Sequence, residues 1–134
     1  MDERIKPGSE FTKTREVTEE LIAKFAEISG DYNPIHLDES FAKETRFGRR
    51  IAHGMLSGAF ISGVLGMSLP GLRIVYLGQT LRFIAPVFIG DRITTKAIVT
   101  KIREDKPIVT LETTCTNQAG EQVVSGEATI MIME

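Results

Sequence analysis

Tryptophan is absent from this 134-residue chain, and cysteine and histidine are scarce, with one Cys and two His. The lone Cys115 can close no disulfide within the chain and rules out metal sites built from paired cysteines. A reducing cytoplasm is therefore the expected location. An excess of one charge is missing too: 16 basic residues against 18 acidic ones leave a formal −2. No basic cluster of the kind that grips a phosphate backbone appears, so a nucleic-acid partner is not expected. Residues 1–10 are polar and charged and lack the apolar run of a secretory signal. Residues 54–72 carry no charge, but Gly58, Gly63, Gly66, Ser57, Ser62 and Ser68 dilute them and Pro70-Gly71 ends them. A membrane span needs about 20 mostly apolar residues, so a buried core helix is expected here and no membrane association.

What remains is an ordinary globular composition, 42% hydrophobic and 25% charged, enough for one compact domain over residues 1–134. The first half reads as helical. Thr18 is placed to cap a helix over 18–29, with Glu19 and Glu20 in its first turn and Leu21, Ile22, Phe25, Ala26 and Ile28 on its apolar face. Asp38 can cap a second short helix through about Thr45, with Phe41 and Ala42 turned inward. The uncharged helix over about 55–67 is apolar all round and should be covered on every side, its glycines compensated by close backbone packing.

The second half reads as β. Strands are expected over 74–77, 80–84, 92–103, 108–116 and 122–132, with a further one over 10–16. The last three, joined by short turns at 104–107 and 117–121, should form an antiparallel meander. One long apolar helix beside a large sheet predicts an α+β fold in which the sheet curls around the helix. A single sheet cannot cover that helix fully, which points to self-association.

The stretch Gly30-Asp31-Tyr32-Asn33-Pro34-Ile35-His36 sets a carboxylate and an imidazole five residues apart around an Asn-Pro. Proline fixes its own φ and pushes Asn33 towards extended backbone, so a rigid, non-helical bend is expected. Such a bend can aim Asp31 and His36 at one point, as a shared proton-transfer site requires. Taken singly, Asp31 and Asn33-Pro34 also suit a simple turn, and His36 a packed histidine; spacing alone leaves both readings open. His53-Gly54 is a second candidate, because the free N–H groups at a helix start stabilise negative charge on a carbonyl oxygen. Alternatively, Gly54 only permits an unusual backbone angle.

Other chemistries find no support. Ser57 and Ser62 lack a nucleophile-elbow context. Two histidines without a suitable third ligand argue against a catalytic metal, and no glycine-rich stretch matches a phosphate loop. Arg73, Arg82, Lys101, Arg103 and Lys106 read as a solvated face, with one or two free to meet substrate phosphates.

At these residues the chain resembles the R-specific enoyl-CoA hydratases, the hydratase-2 or MaoC-like branch of the hotdog superfamily. The family motif, an aromatic residue followed by Gly-Asp-x-Asn-Pro-aliphatic-His and a small residue six positions on, runs here from Phe25 through His36 to Ala42. Ala52-His53-Gly54-Met55, Tyr76-Leu77-Gly78-Gln79, Phe83, Pro86 and Gly90-Asp91 also resemble family segments. The resemblance covers nearly the whole chain.

It implies a single hotdog fold, a curved antiparallel sheet around a central helix at about 54–67, assembled as a homodimer. It also implies reversible syn hydration of a trans-2-enoyl-CoA to an (R)-3-hydroxyacyl-CoA, without cofactor or metal. Asp31 and His36 would activate the water and handle the proton at C2. Asn33 would support their geometry, and the Gly54 N–H would polarise the thioester carbonyl. Ser62, Leu65 and Ile130 would line the acyl pocket. Polyhydroxyalkanoate precursor supply and fatty-acid turnover are the pathways it raises. An acyl-CoA thioesterase, or a non-catalytic acyl-CoA-binding domain on the same fold, are the competing readings.

Overall fold

The computed structural model describes residues 1–133. Its backbone runs β1 (Glu10–Glu16), α1 (Glu19–Ser29), α2 (Pro34–Leu37), α3 (Glu39–Lys43), α4 (Gly54–Met67), β2 (Arg73–Gln79), β3 (Arg82–Phe83), β4 (Arg92–Ile102), β5 (Ile108–Thr116) and β6 (Gln122–Met133). The strands form one antiparallel sheet in the order β1-β4-β5-β6-β2, with β3 pairing to β6. The β4-β5-β6 meander is the one expected from the alternation of apolar residues. Ile93, Thr95, Ala97 and Val99 point inward from β4, as do Val109, Leu111, Thr113 and Cys115 from β5. They meet Leu56, Phe60, Ile61, Val64 and Leu65 of α4, so the sheet wraps the helix in a hotdog arrangement.

Local signals explain the helix boundaries. The Thr18 hydroxyl accepts the Leu21 N–H at 3.1 Å, and Gly30 ends α1 at a left-handed φ of 76°. The Asp38 carboxylate accepts the Phe41 N–H at 3.1 Å to start α3.

Several expectations need correction. Ile28 is 84% exposed, because it lies off the stripe formed by Ile22 and Ala26. Phe41 is exposed while its neighbour Ala42 is buried. The stretch after Asn33 is not a bend but a helical turn: Pro34 occupies the first position of α2, where its missing N–H is no loss. The strand expected over 80–84 is reduced to Arg82–Phe83. Helix α4 is not covered on every side by its own chain. Its 56-57-60-61-64-65 stripe is buried, but Met55 and Met67 are exposed and Gly63 and Gly66 face open space.

Gly126 on β6 has a specific steric role. A Cβ there would overlap the Thr80 carbonyl oxygen, where the chain crosses from β2 to β3 against β6. That crossing is fixed by the Thr80 N–H on the Glu127 carbonyl at 2.9 Å and the Glu127 N–H on the Thr80 hydroxyl at 2.9 Å. Gly126→Ala is therefore expected to lower unfolding free energy by about 1–3 kcal/mol, the usual range for overpacking. Urea denaturation measures it, and an unchanged midpoint would refute the steric role.

Candidate active site

Asp31 and His36 are brought together by the turn that Asn33 caps. The Asn33 side chain accepts the Ile35 N–H at 3.2 Å, and the Asp31 Oδ1 accepts the Asn33 N–H at 3.1 Å. The backbone between acid and imidazole is thus tied at both ends by side chains. This places Asp31 Oδ2 at 3.8 Å from His36 Nε2. That separation is too long for a direct hydrogen bond and leaves room for one water to bond both atoms.

The surroundings fix the state of His36. Its Nδ1 lies 2.8 Å from the Ile51 carbonyl oxygen, which can only accept, so Nδ1 carries the hydrogen of the neutral ring. The Nε2 lone pair is left facing Asp31. Burial is the main influence holding the imidazole below its usual 6.5, with His53 acting the same way; the Ile51 carbonyl and Asp31 oppose them. Arg50 secures the backbone behind it: Nε donates to the His36 carbonyl at 2.8 Å and Nη1 to Glu19 of α1 at 2.7 Å.

A cavity of about 710 Å³ opens beside this pair. Asp31, His36, His53 and Gly54 line it, with Phe25, Phe47, Phe83, Ile84 and Val87 supplying apolar wall and Arg46 on its border. Gly54 begins α4, so its N–H has no partner within the helix, and none elsewhere among the described residues. A Cβ on Gly54 would lie 2.9 Å from the Phe83 ring, so the glycine keeps the approach to this N–H open.

Asp31, His36 and Gly54 therefore share one cavity wall. Asn33 lies outside the wall and acts through the turn. The three residues expected in an acyl pocket are not on this cavity. Leu65 and Ile130 pack in the core, because Leu65 follows Ile61 by one helical turn and Ile130 alternates with Ala128 and Ile132 on the inner face of β6. Ser62 points out on the uncovered side of α4. The cavity meets β6 only at Val124.

Phe25, Phe83 and Arg46 were not assigned to the site from sequence, and His53 was singled out only as the residue that precedes Gly54 at the helix start. Arg46-Phe47-Gly48-Arg49-Arg50 holds three arginines in five residues, a signal that could have marked a basic segment near the site. One ligand atom from each of Asp31, His36 and His53 lies within 4.8 Å of the others. The two imidazoles, however, are stacked at 3.9 Å between centroids and 28° between planes. Each imidazole also sets one ring nitrogen against a backbone carbonyl, His36 Nδ1 on Ile51 and His53 Nε2 on Asp31.

Comparison with known proteins places the chain among named relatives. Residues 2–121 match the model of the MaoC like domain. The chain is 50% identical over 111 residues to the (R)-specific enoyl-CoA hydratase of Aeromonas caviae, covering 83% of each chain. It is 48% identical over 130 residues to the protein of the same name in Rhodospirillum rubrum, covering 97% of this chain and 90% of that one. The solved structure of the (R)-hydratase from A. caviae involved in PHA biosynthesis superposes with a TM-score of 0.93 at 44% identity, over 97% of this chain and 98% of that one. With the match covering most of its length, this chain belongs to the MaoC-like domain family.

Proposed function

We propose that this protein is an (R)-specific enoyl-CoA hydratase, a hydro-lyase that adds water reversibly to trans-2-enoyl-CoA. The observation that carries the reading is the bare His36 Nε2 lone pair facing Asp31 across 3.8 Å at the wall of a largely apolar cavity. The high identity to hydratases of that name supports it.

The chemistry follows from the residues. A water held between Asp31 Oδ2 and His36 Nε2 loses a proton to the imidazole as its oxygen bonds to C3 of the alkene. The C2–C3 π electrons shift towards the thioester, and the carbonyl oxygen gains negative charge. The Gly54 N–H, at the positive end of α4, stabilises that charge. A proton held by the Asp31–His36 pair then passes to C2, regenerating the carbonyl. Oxygen and proton come from the same pair, hence from one face of the alkene, and the addition is syn. The conjugated thioester is the electron sink, so no cofactor takes part. Asn33 keeps the pair in register through its cap on α2.

The whole chain acts as one hotdog unit and works as a homodimer. Strand β2 is an edge of the sheet, and it presents Val75, Tyr76 and Leu77 to solvent, with Tyr76 and Leu77 beside Met55 of α4. Sedimentation at twice the chain mass is expected; a monomer at micromolar concentration contradicts this. No helix among the described residues is long and apolar enough to cross a membrane, and the cytoplasm, where acyl-CoA is available, is the proposed location.

The deciding assay is hydration of crotonyl-CoA, followed by loss of enoyl absorbance with chiral analysis of the product. (R)-3-hydroxybutyryl-CoA is expected. Release of free CoA thiol from a saturated acyl-CoA, with no hydration, would instead make the protein a thioesterase.

The direction of the His36 shift sets the pH response. Neutral His36 is the form that accepts the water proton, and burial holds its pKa below 6.5. Hydration kcat/KM is therefore expected to stay level down through 6.5 and fall only at lower pH. An acid limb centred at or above 6.5 would contradict the assignment.

A further inference from the structure

His53 is almost fully buried, at 3% exposure, and the reaction steps above do not use it. Three contacts surround its ring. Its Nε2 lies 3.0 Å from the Asp31 backbone carbonyl, which only accepts, so Nε2 carries the hydrogen. One face stacks on His36 at 3.9 Å between centroids, and Phe25 of α1 packs at 5.0 Å with its ring tilted by 55°. Its Nδ1 is buried without a hydrogen-bond partner among the described residues. An orphaned buried nitrogen is unfavourable by about 1–3 kcal/mol, and a leucine or phenylalanine would fill the same space without it. Something other than packing favours an imidazole here.

We infer that His53 is a positioning residue of the hydration reaction, holding Asp31 through its backbone and His36 through its ring at a fixed distance from the Gly54 N–H. This rests on the hydratase reading. The covalent link supplies the last part of the geometry. His53 is the residue immediately before Gly54 and forms the N-cap position of α4, without a capping bond from its own side chain. One residue thus joins the acid and the imidazole, which share one turn, to the helix start at Gly54, which lies in a later stretch of the chain. The charged or titratable groups around the stack are Asp31 from the loop before α2, His36 from α2, the Arg50 guanidinium behind the His36 carbonyl, and Arg46 across the cavity. Helix α1 contributes only the neutral Phe25 ring to it.

Two variants separate the two contacts. His53→Phe keeps a ring against His36 and loses the N–H to Asp31. His53→Gln returns an N–H donor and loses the ring. Crotonyl-CoA hydration by the wild type is measured first, because its absence would remove the parent reading and not the geometry. In the Phe variant kcat is expected to fall about 10- to 100-fold, the scale of a slight misplacement of reacting groups, with KM within about twofold. The Gln variant should recover at least about fivefold of that loss. The His36 titration midpoint, followed by NMR of its imidazole, should rise in both variants, which lose the His53 charge, and further in the Gln variant, which also loses the ring that covers His36. That measurement needs no turnover. A kcat within about twofold of wild type in both variants would overturn the inference, as would a His36 midpoint unmoved in the Gln variant. Should the Phe variant fail to fold by circular dichroism, the Gln variant and its NMR titration decide alone.

Discussion

Asp31→Asn is expected to lower crotonyl-CoA hydration by about 100- to 10,000-fold, the range for a positioned acid–base group, in a protein that still folds. The amide is nearly isosteric, and its oxygen can still accept the Asn33 N–H that Asp31 Oδ1 accepts at 3.1 Å. The backbone carbonyl that accepts from His53 is untouched. The turn should survive, and only the carboxylate oxygen facing His36 Nε2 is lost. His36→Ala removes the opposite half of the pair and should lose a similar factor. It also empties a buried site and frees the Ile51 carbonyl, so some loss of stability accompanies it. Circular dichroism and a thermal melt provide the folding control. Near-wild-type turnover in either folded variant would remove the proposed chemistry.

The second large effect is expected at Gly54 and separates a donor from its steric surroundings. Gly54→Ala and Gly54→Pro each place a Cβ against the Phe83 ring, which is 53% exposed and has room to shift. Only the proline also removes the backbone N–H. The helix should tolerate it, because Gly54 is the first residue of α4, where proline is favoured. The preceding His53, at φ −58° and ψ 133°, already has the extended backbone a following proline demands. If the N–H stabilises the developing oxyanion, kcat of the proline variant should fall about 100- to 1,000-fold below that of the alanine variant. Melting temperatures of the two should lie close together. Equal kcat values would leave Gly54 with a purely steric role.

The two sites differ in how legible they were. Asp31 and His36 could be paired from sequence because the determinants of their geometry are local: Asn33 and Pro34 lie between them and fix the turn. Even there, Asn-Pro was read as a bend when it starts a helix, since the same pair serves both and only the backbone after Pro34 distinguishes them. Gly54 was legible as a helix start after His53. The pocket residues were not. Whether Leu65 and Ile130 face a cavity or the core depends on which side of α4 the sheet covers, and no local pattern encodes that.

Residue chemistry and short-range geometry were settled by the chain itself: the caps at Thr18 and Asp38, the β4-β5-β6 meander, and an acid and an imidazole held on one turn. These depend on neighbours within a few positions, where backbone preferences and side-chain hydrogen bonds act directly. Tertiary packing alone decided that Ile51 orients the His36 ring, that His53 stacks upon it, and that Met55 at the start of α4 lies beside Tyr76 and Leu77 of the β2 edge. Those contacts join segments 15 or more positions apart, and their geometry follows from how the curled sheet closes over the helix.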